Sequence, residues 1–237
     1  SKDYSEWLNK RDIGKQKEYW VSRFDGEVPV LNLPLDYLRP QERSFEGASV
    51  RVNVGRRIRK GVESLGGQTG TTSYMVMLAA FMSLLAKYTR QDDIVVGSPV
   101  SGRTHPDCEN MVGMFINTLA MRGRPKKNKR FKQLLSEIKT DSMNALDNQE
   151  YQFEALVEEV VYVRDMARNP LFDVMFAYQN MDATQTRMQG LKLLGLEAES
   201  QTAKFDMTLS VTDDEDGYVF NLEYCTALFK QSSVEHM

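Results

Sequence analysis

The stretch of residues 94–122 constrains the fold of this chain more than any other. It holds two apolar runs rich in β-branched residues, 94–103 and 112–122, and a polar connection between them that contains His105. Runs of this kind, bounded by glycine and proline, favour strands of a buried sheet. Asn117 and Thr118 place polar side chains inside the second run, and such groups are normally hydrogen-bonded when buried. The pattern therefore predicts two neighbouring buried strands, with Asn117 either satisfied locally or used in a site.

The rest of the chain alternates helical with extended patterns. Residues 27–40 contain three prolines and predict an extended linker. The helix predicted over 73–88 is apolar on nearly every face, so we expect it to be buried. The other predicted elements are helices over 1–24 (one or two), 56–65, 131–146 and 153–161, and strands over 50–54, 171–178, 204–212 and 218–224. This order predicts an α/β (α+β) sandwich, with helices packed on one mixed sheet.

Local signals set several boundaries between these elements. The Gly66-Gly67 pair is expected to end the helix over 56–65, and Thr71 or Thr72 is expected to cap the next helix. Residues 213–217 are acidic and end in glycine, which indicates a hairpin. Residues 179–203 form a long connection with a weak strand signal over 191–196.

Composition excludes several classes of function. The 237 residues are 41% apolar and 27% charged, as in globular domains, and the net charge of -3 gives no electrostatic case for nucleic acid. The basic run 122–130 is interpreted as a solvated loop. No apolar segment approaches the ~20 residues of a membrane span, and no secretory signal opens the chain. Cys108 and Cys225 lie far apart and form no metal-type spacing, so we expect a reducing, cytoplasmic compartment.

Histidine is scarce, which limits acid–base chemistry. His105 lies in the connection between two predicted strands, and His236 is the penultimate residue. No Gly-x-Ser-x-Gly elbow is present, residues 66–70 lack the lysine of a phosphate-binding loop, and metal-ligand spacing is absent. The polar residues that remain are Arg103, Asn117, and the runs 148–154 and 164–172. On their own, these residues fit either a binding site or ordinary contacts within the scaffold.

Four stretches, taken together, resemble motifs of the condensation domains of non-ribosomal peptide synthetases. Residues 112–122 (Val-Gly-Met-Phe-Ile-Asn-Thr-Leu-Ala-Met-Arg) resemble the family's Gly-x-Phe-Val-Asn-Thr strand, which ends in Arg. Residues 148–154 are similar to His/Asn-Gln-Asp-Tyr-Pro-Phe-Glu, with Glu150 and Gln152 as departures. Residues 164–171 resemble Arg-Asp-x-Ser-Arg-Asn-Pro-Leu, with Ala167 in place of Ser. Residues 3–7 resemble the end of an earlier motif, so the resemblance covers nearly the whole chain.

This resemblance implies a chloramphenicol-acetyltransferase-like fold, in which two lobes form a V around a shared tunnel. Two carrier proteins reach the tunnel from opposite faces, and each delivers a thioester on a phosphopantetheine arm. The acceptor amine attacks the donor carbonyl to form an amide. No cofactor is expected to bind this chain directly. The implied partners are an N-terminal condensation lobe, donor and acceptor peptidyl carrier proteins and a neighbouring adenylation domain.

One family feature is missing from this sequence. The His-His-x-x-x-Asp-Gly signature belongs to the first lobe, and no His-His pair occurs here. The resemblance therefore assigns residues 1–40 to a connecting helix and linker and residues 41–237 to the C-terminal lobe, with no catalytic residue and no activity alone. Residues 182–203 would reach across to the other lobe.

The resemblance also assigns candidate site residues within this lobe. Arg103 matches the family arginine that pairs with the Asp of the histidine signature, and it would support the active site. Asn117 and Asn169 match motif positions near the tunnel and are candidates for contacts with the pantetheine arm or the nascent amide. Gln149 is a weaker candidate of the same kind.

Three alternatives remain open from the sequence. An epimerisation or heterocyclisation domain is the nearest rival, although the Asn117-Thr118 pair favours plain condensation. The lobe is otherwise a carrier-protein docking platform without chemistry of its own. A standalone acetyltransferase that uses His105 as its base is the third possibility.

Overall fold

The structure, a computed structural model, describes residues 13–108, 111–163, 165–179, 201–214 and 216–237. The helices are α1 Gly14–Arg23, α2 Arg56–Thr69, α3 Ser73–Thr89, α4 Phe131–Asp147, α5 Phe153–Val160 and α6 Gln231–Glu235, with one 3-10 turn at Pro106–Cys108. The strands are β1 Gly47–Gly55, β2 Ile94–Val100, β3 Asn117–Gly123, β4 Val174–Gln179, β5 Met207–Asp214 and β6 Gly217–Cys225. The predictions for residues 1–12 and 191–196, and for most of the connection 182–203, lie outside the described residues.

The strands form one six-stranded sheet in the order β1-β6-β5-β4-β2-β3. β4 runs parallel to β2 and to β5, and the other neighbouring pairs are antiparallel. The predicted hairpin joins β5 to β6, where Asp214 lies opposite Gly217. The prediction of an α/β sandwich on a mixed, mostly antiparallel sheet is confirmed.

Aromatic packing shows how the layers meet on the two faces of the sheet. Phe176 of β4 lies 5.6 Å from the Tyr74 ring and 5.8 Å from the Phe81 ring, both on α3. On the other face, Gly97 of β2 leaves room for Phe172, because a Cβ at position 97 would lie 2.3 Å from that ring. The helix that precedes β2 and the segment that precedes β4 therefore pack on opposite faces of the sheet.

The predicted strand over 112–122 is wrong in its first half. β3 begins only at Asn117, and Val112, Met114 and Ile116 are exposed. The ladder between β2 and β3 ends where Val100 lies opposite Asn117. Just beyond Val100 the chain turns away at Gly102, with φ +62°. Residues 112–116 therefore have an apolar sequence but no paired strand beside them.

The predicted end of the first long helix is also wrong. α2 continues through Gly66 and Gly67 to Thr69, and Gly70, with φ +63°, caps its C-terminus. A glycine inside a helix costs about 1 kcal/mol relative to alanine but keeps its backbone N–H, whereas a left-handed glycine ends the helix. Thr72 caps α3 as predicted, because its side-chain oxygen accepts the N–H of Met75 at 3.3 Å.

α1 and the extended linker are fastened to the body of the protein. Trp20 and Phe24 are buried in the core, as are Leu31 and Leu33 of the linker. Arg122 of β3 donates hydrogen bonds to the carbonyl oxygens of Arg23 (2.8 Å) and Glu27 (3.2 Å). The linker therefore has a fixed path over the sheet edge.

In the described part of the chain, no single helix is long and apolar enough to cross a membrane. α2 and α3 together reach the required length and composition, but a bend of 105° separates them. Eight residues of α3 are buried against the sheet and α4.

Candidate functional site

The connection between β2 and β3 holds Arg103 over an aromatic ring. A Cβ at Gly102 would lie 1.7 Å from the carbonyl oxygen of Phe115, so only glycine permits this approach. The Arg103 guanidinium lies 4.4 Å from the centroid of the Phe115 ring. It donates to the carbonyl oxygens of Met111, at 2.9 Å, and Cys108. Arg103 thus folds its own loop into a compact shape, and its predicted pairing with a second lobe stays a prediction.

His105 lies in the same loop on an exposed surface. Its Nδ1 accepts the backbone N–H of Asp107 at 3.2 Å, and the Asp107 carboxylate lies 3.5 Å away. The Asp107 side chain is 87% exposed, so this carboxylate is solvated and exerts little hold on the ring. A solvated carboxylate differs from the buried acid that orients the histidine base of hydrolase triads.

Asn117, the first residue of β3, has a side chain saturated by backbone partners. It is 4% exposed. Its Nδ2 donates to the carbonyl oxygens of Gln149 (2.8 Å) and Tyr151 (2.9 Å), and its Oδ1 accepts the N–H groups of Phe153 (3.2 Å) and Thr118 (2.8 Å). Asn117 therefore clamps the turn that follows α4 onto the start of β3. A contact with a pantetheine arm stays a prediction, and it would require the amide to leave backbone partners.

Gln149 lies in that turn and is half-buried. Its side-chain amide donates to the carbonyl oxygen of Leu146 at 2.9 Å, within the last turn of α4. Trp20 of α1 holds the same turn from another side, because its Nε1 donates to the carbonyl oxygen of Asn148 at 2.7 Å. Hydrogen bonds from both α1 and β3 thus hold the 148–153 turn in place.

Asn169 lies in a separate cluster before β4. Its side-chain oxygen accepts from Arg43, which lies between the linker and β1, and its Nδ2 donates to the carbonyl oxygen of Lys204 at 3.3 Å. Its backbone N–H donates to Asp173 at 3.0 Å. Among the described residues, no hydrogen bond joins Asn169 to Arg103 or Asn117. The predicted site residues therefore fall into two groups, with Arg103, Asn117 and Gln149 in one and Asn169 in the other.

Two buried aspartates organise the Asn169 cluster. Asp173 accepts from Arg168 at 2.6 Å, and Asp206 accepts from Arg39 at 3.0 Å. Burial, with the negative charge of Asp206 as the second cause, raises the pKa of Asp173 above its usual range. The two arginines offset part of this cost and tie the linker to the start of β4 and β5. Within the described ranges, no group of three or more His, Cys, Asp or Glu is placed to hold a metal ion.

An open groove of about 1420 Å³ lies between the linker, α5 and the loop that leads to β4. Three large apolar side chains lie on its rim almost fully in solvent: Tyr162 at 92% exposed, Val163 at 86% and Met166 at 71%. Acidic side chains outnumber basic ones among the described lining residues. Exposed apolar clusters of this kind mark protein interaction surfaces.

Several of these residues escaped the sequence reasoning. Arg39 lies at the end of the proline-rich linker, for which the pattern predicts only extended chain, and Arg43 follows the linker. Their partners lie more than 120 positions away. The sequence distinguishes Glu150 only as a departure from a motif. The exposed residues Tyr162 and Val163 follow a helix with ordinary apolar spacing, and only the fold reveals that they face solvent.

Comparison with known proteins places this architecture in a family. The family model "Condensation domain" matches residues 1–237. Bacitracin synthase 3 from Bacillus licheniformis is 43% identical over 240 residues, which is 100% of this chain and 4% of that protein. Gramicidin S synthase 2 from Brevibacillus brevis is 44% identical over 235 residues, covering 98% of this chain and 5% of that protein. The chain therefore spans a small part of the length of these relatives.

Solved structures share the fold at low sequence identity. The four-domain nonribosomal peptide synthetase AB3403, solved with AMP and glycine, superposes with a TM-score of 0.87 at 24% identity, covering 95% of this chain and 18% of that one. The X-domain from teicoplanin biosynthesis gives a TM-score of 0.84 at 20% identity, covering 98% of this chain and 55% of that one. The fold is thus the chloramphenicol-acetyltransferase-like α/β sandwich of these proteins. The chain belongs to the condensation-domain family.

Proposed function

We propose that this chain forms one wall of the channel in which a nonribosomal peptide synthetase joins two carrier-bound groups through an amide bond. The support is its membership of the condensation-domain family and the positions of its motif residues. A donor and an acceptor carrier protein would bring the substrates on phosphopantetheine arms, and an adenylation domain would be the neighbour that loads them. We place this activity in the cytoplasm, an assignment supported by two buried cysteines, Cys108 and Cys225, that are free thiols.

The proposed reaction transfers an acyl group from sulfur to nitrogen. The amine nitrogen of the acceptor attacks the donor carbonyl carbon, the new C–N bond forms, and the C–S bond of the donor thioester breaks. The donor pantetheine leaves as a thiol, which takes up the proton that the amine loses. The paired histidines that serve this proton transfer in the family do not occur in this sequence. The chain therefore contributes binding and support, and we expect it to be inactive without a companion lobe.

The observation that carries this proposal is the division of the 112–118 motif between two roles. The Asn117 side chain uses its hydrogen bonds to hold backbone groups of the scaffold. Val112, Met114 and Ile116 are instead exposed to solvent next to residues 101–111, which we call the Arg103 loop. The three lie within one five-residue segment, and together they make an exposed apolar strip. Burial of each would contribute roughly 1.5–3 kcal/mol. A companion lobe packed on this strip would close the channel next to Arg103.

The rim formed by Tyr162, Val163 and Met166 is our proposed docking surface for a carrier protein. Because acidic side chains dominate the described lining of the groove, the anionic phosphopantetheine phosphate is a poor occupant. An apolar surface of the carrier's folded domain is the better one. Aromatic and methionine side chains at the centre of an exposed patch commonly dominate such contacts.

Reconstitution with a companion lobe tests the supporting role of Arg103. The chain would be combined with a condensation lobe that carries the paired histidines and with two loaded carrier proteins, and amide product would be measured by mass spectrometry. We expect Arg103→Ala to lower turnover at least tenfold. Arg57→Ala, an exposed arginine on α2, is the matched control and should retain wild-type turnover. Unchanged turnover in Arg103→Ala would refute the role.

A titration of holo-carrier protein against this chain tests the docking surface. Tyr162→Ser should raise the dissociation constant about tenfold, a loss of affinity typical of a moderate hot spot. Leu38→Ser is the control, because Leu38 is 96% exposed and does not line the groove. Equal effects of the two changes would place the docking surface elsewhere.

A further inference from the structure

A chain of side-chain hydrogen bonds connects α1 to the Arg103 loop. The Gln16 side chain donates from Nε2 to one carboxylate oxygen of Glu150 at 3.0 Å. Its Oε1 accepts the backbone N–H groups of Glu150 (3.1 Å) and Tyr151 (3.2 Å). The other carboxylate oxygen of Glu150 accepts from the Thr104 hydroxyl at 2.7 Å. Thr104 directly follows Arg103, so Glu150 bridges two elements that are distant in sequence.

The 148–153 turn is also held by contacts outside this bridge. Asn117 clamps the turn through buried hydrogen bonds, and Trp20 holds it at Asn148. The bond between Thr104 and Glu150 is exposed, and exposed contacts contribute little to global stability. What the bond to Thr104 adds is geometry, because the same carboxylate contacts both α1 and the start of the Arg103 loop.

The length of the side chain at position 150 matters to this geometry. Glutamate is one methylene longer than the aspartate of the resembling motif, a difference in reach of about 1.5 Å. An aspartate at position 150 would keep the negative charge, but its carboxylate would extend less far from the backbone. With Gln16 holding the backbone of the turn in place, the Thr104 bond is the one that a shorter side chain would give up.

We propose that Gln16, Glu150 and Thr104 are positioning residues that set the orientation of the Arg103 loop relative to α1. This inference rests on the proposed function, since the loop would face the companion lobe. If this is so, movement of α1 changes the placement of Arg103. The length of the side chain at position 150, and not its charge alone, then decides how strongly α1 is coupled to the loop.

Amide hydrogen exchange on this chain tests the inference without any reaction. In the described part of the loop, the Cys108 N–H donates to the His105 carbonyl oxygen (2.9 Å) and the Met111 N–H to the Cys108 carbonyl oxygen (3.3 Å). We expect Thr104→Val and Glu150→Asp to speed exchange of these two amides about threefold or more, because local opening becomes easier when the loop loses its anchor. Thr104→Ser keeps the hydroxyl and should restore the wild-type rate.

Two further variants serve as controls. Glu150→Gln tests whether the length or the charge of the side chain matters, and Lys17→Ala tests whether any lost contact of α1 has the same effect. Glu150→Gln keeps the reach and one acceptor oxygen, so its exchange should stay closer to wild type than that of Glu150→Asp. Lys17→Ala removes the ion pair between α1 and Glu159 of α5, which does not touch the loop, and should leave the loop amides unchanged.

Kinetics of the reconstituted enzyme give a second readout. Glu150→Asp should lower kcat severalfold while the dissociation constant for the holo-carrier protein stays the same, since only the Arg103 loop is displaced. A loop exchange rate in Glu150→Asp equal to wild type, or an equal change in Lys17→Ala, would overturn the inference. If the loop responds as expected but no reconstituted enzyme forms an amide, the positioning role stands and the proposed function fails.

Discussion

Replacement of Asn117 by alanine should destabilise this chain by about 3 kcal/mol. The change removes the partners of three backbone groups outside β3: the carbonyl oxygens of Gln149 and Tyr151 and the N–H of Phe153. A hydrogen bond contributes about 1 kcal/mol net, and a buried group left without a partner costs about 1–3 kcal/mol. Three such losses give about 3 kcal/mol, with the partly buried Gln149 carbonyl recovering some energy from water.

Urea unfolding followed by circular dichroism measures this loss. For an m-value of about 2–3 kcal/mol/M, the midpoint should fall by about 1 M. Asn53→Ala is the matched control, because Asn53 is exposed on β1, and its midpoint should move little.

Asn117→Asp separates the acceptor role of the Asn117 side chain from its donor role. Aspartate keeps the acceptor for the Phe153 N–H but turns a carboxylate oxygen toward two carbonyl oxygens, so at neutral pH it should be no more stable than alanine. A midpoint for Asn117→Ala within error of Asn53→Ala, or full rescue by aspartate, would refute the clamp.

Two other predictions concern the scaffold around the site. Gly102→Ala should destabilise the chain by more than about 2 kcal/mol in urea unfolding, because φ is +62° and a Cβ would meet the Phe115 carbonyl oxygen at 1.7 Å. Gly67→Ala in the open interior of α2 should instead stabilise it by up to about 1 kcal/mol, and the same sign for both changes would contradict this reasoning. Hydrogen bonds from Arg122 lower the pKa of Asp93, so its contribution to stability is present above the unfolded value of 3.8 and is lost as pH falls through the folded pKa. Asp93→Asn should therefore lose about 1–2 kcal/mol at pH 7 and show a flatter dependence of stability on pH below 4, and an unchanged acid dependence would count against the ion pair.

Elements built from local pattern were predictable from the sequence. The buried α3 follows from its continuous apolar surface, and the β5–β6 hairpin follows from alternation around an acidic turn that ends in Gly217. Gly66 and Gly67 misled the prediction because composition cannot reveal backbone conformation: both stay helical, and only Gly70 adopts the left-handed geometry that ends α2.

The candidate site was predictable as a set of residues but not as a set of contacts. Motif resemblance singled out Arg103 and Asn117, yet their partners depend on how distant segments meet. The Asn117 clamp spans 32–36 positions, and the bond from Gln16 to Glu150 spans 134. The apolar run 112–116 looked like a strand because sequence reports hydrophobicity, whereas strand formation also requires a neighbour to pair with.

The central claim is that this chain supplies one wall of an amide-forming channel whose proton-handling residues lie in a companion lobe. The most direct measurement is the yield of carrier-bound amide, by mass spectrometry, with two loaded carrier proteins and either this chain alone, the companion lobe alone or both. Product above the uncatalysed background is expected only when both lobes are present. Product formed by this chain alone, and abolished by His105→Ala, would contradict it.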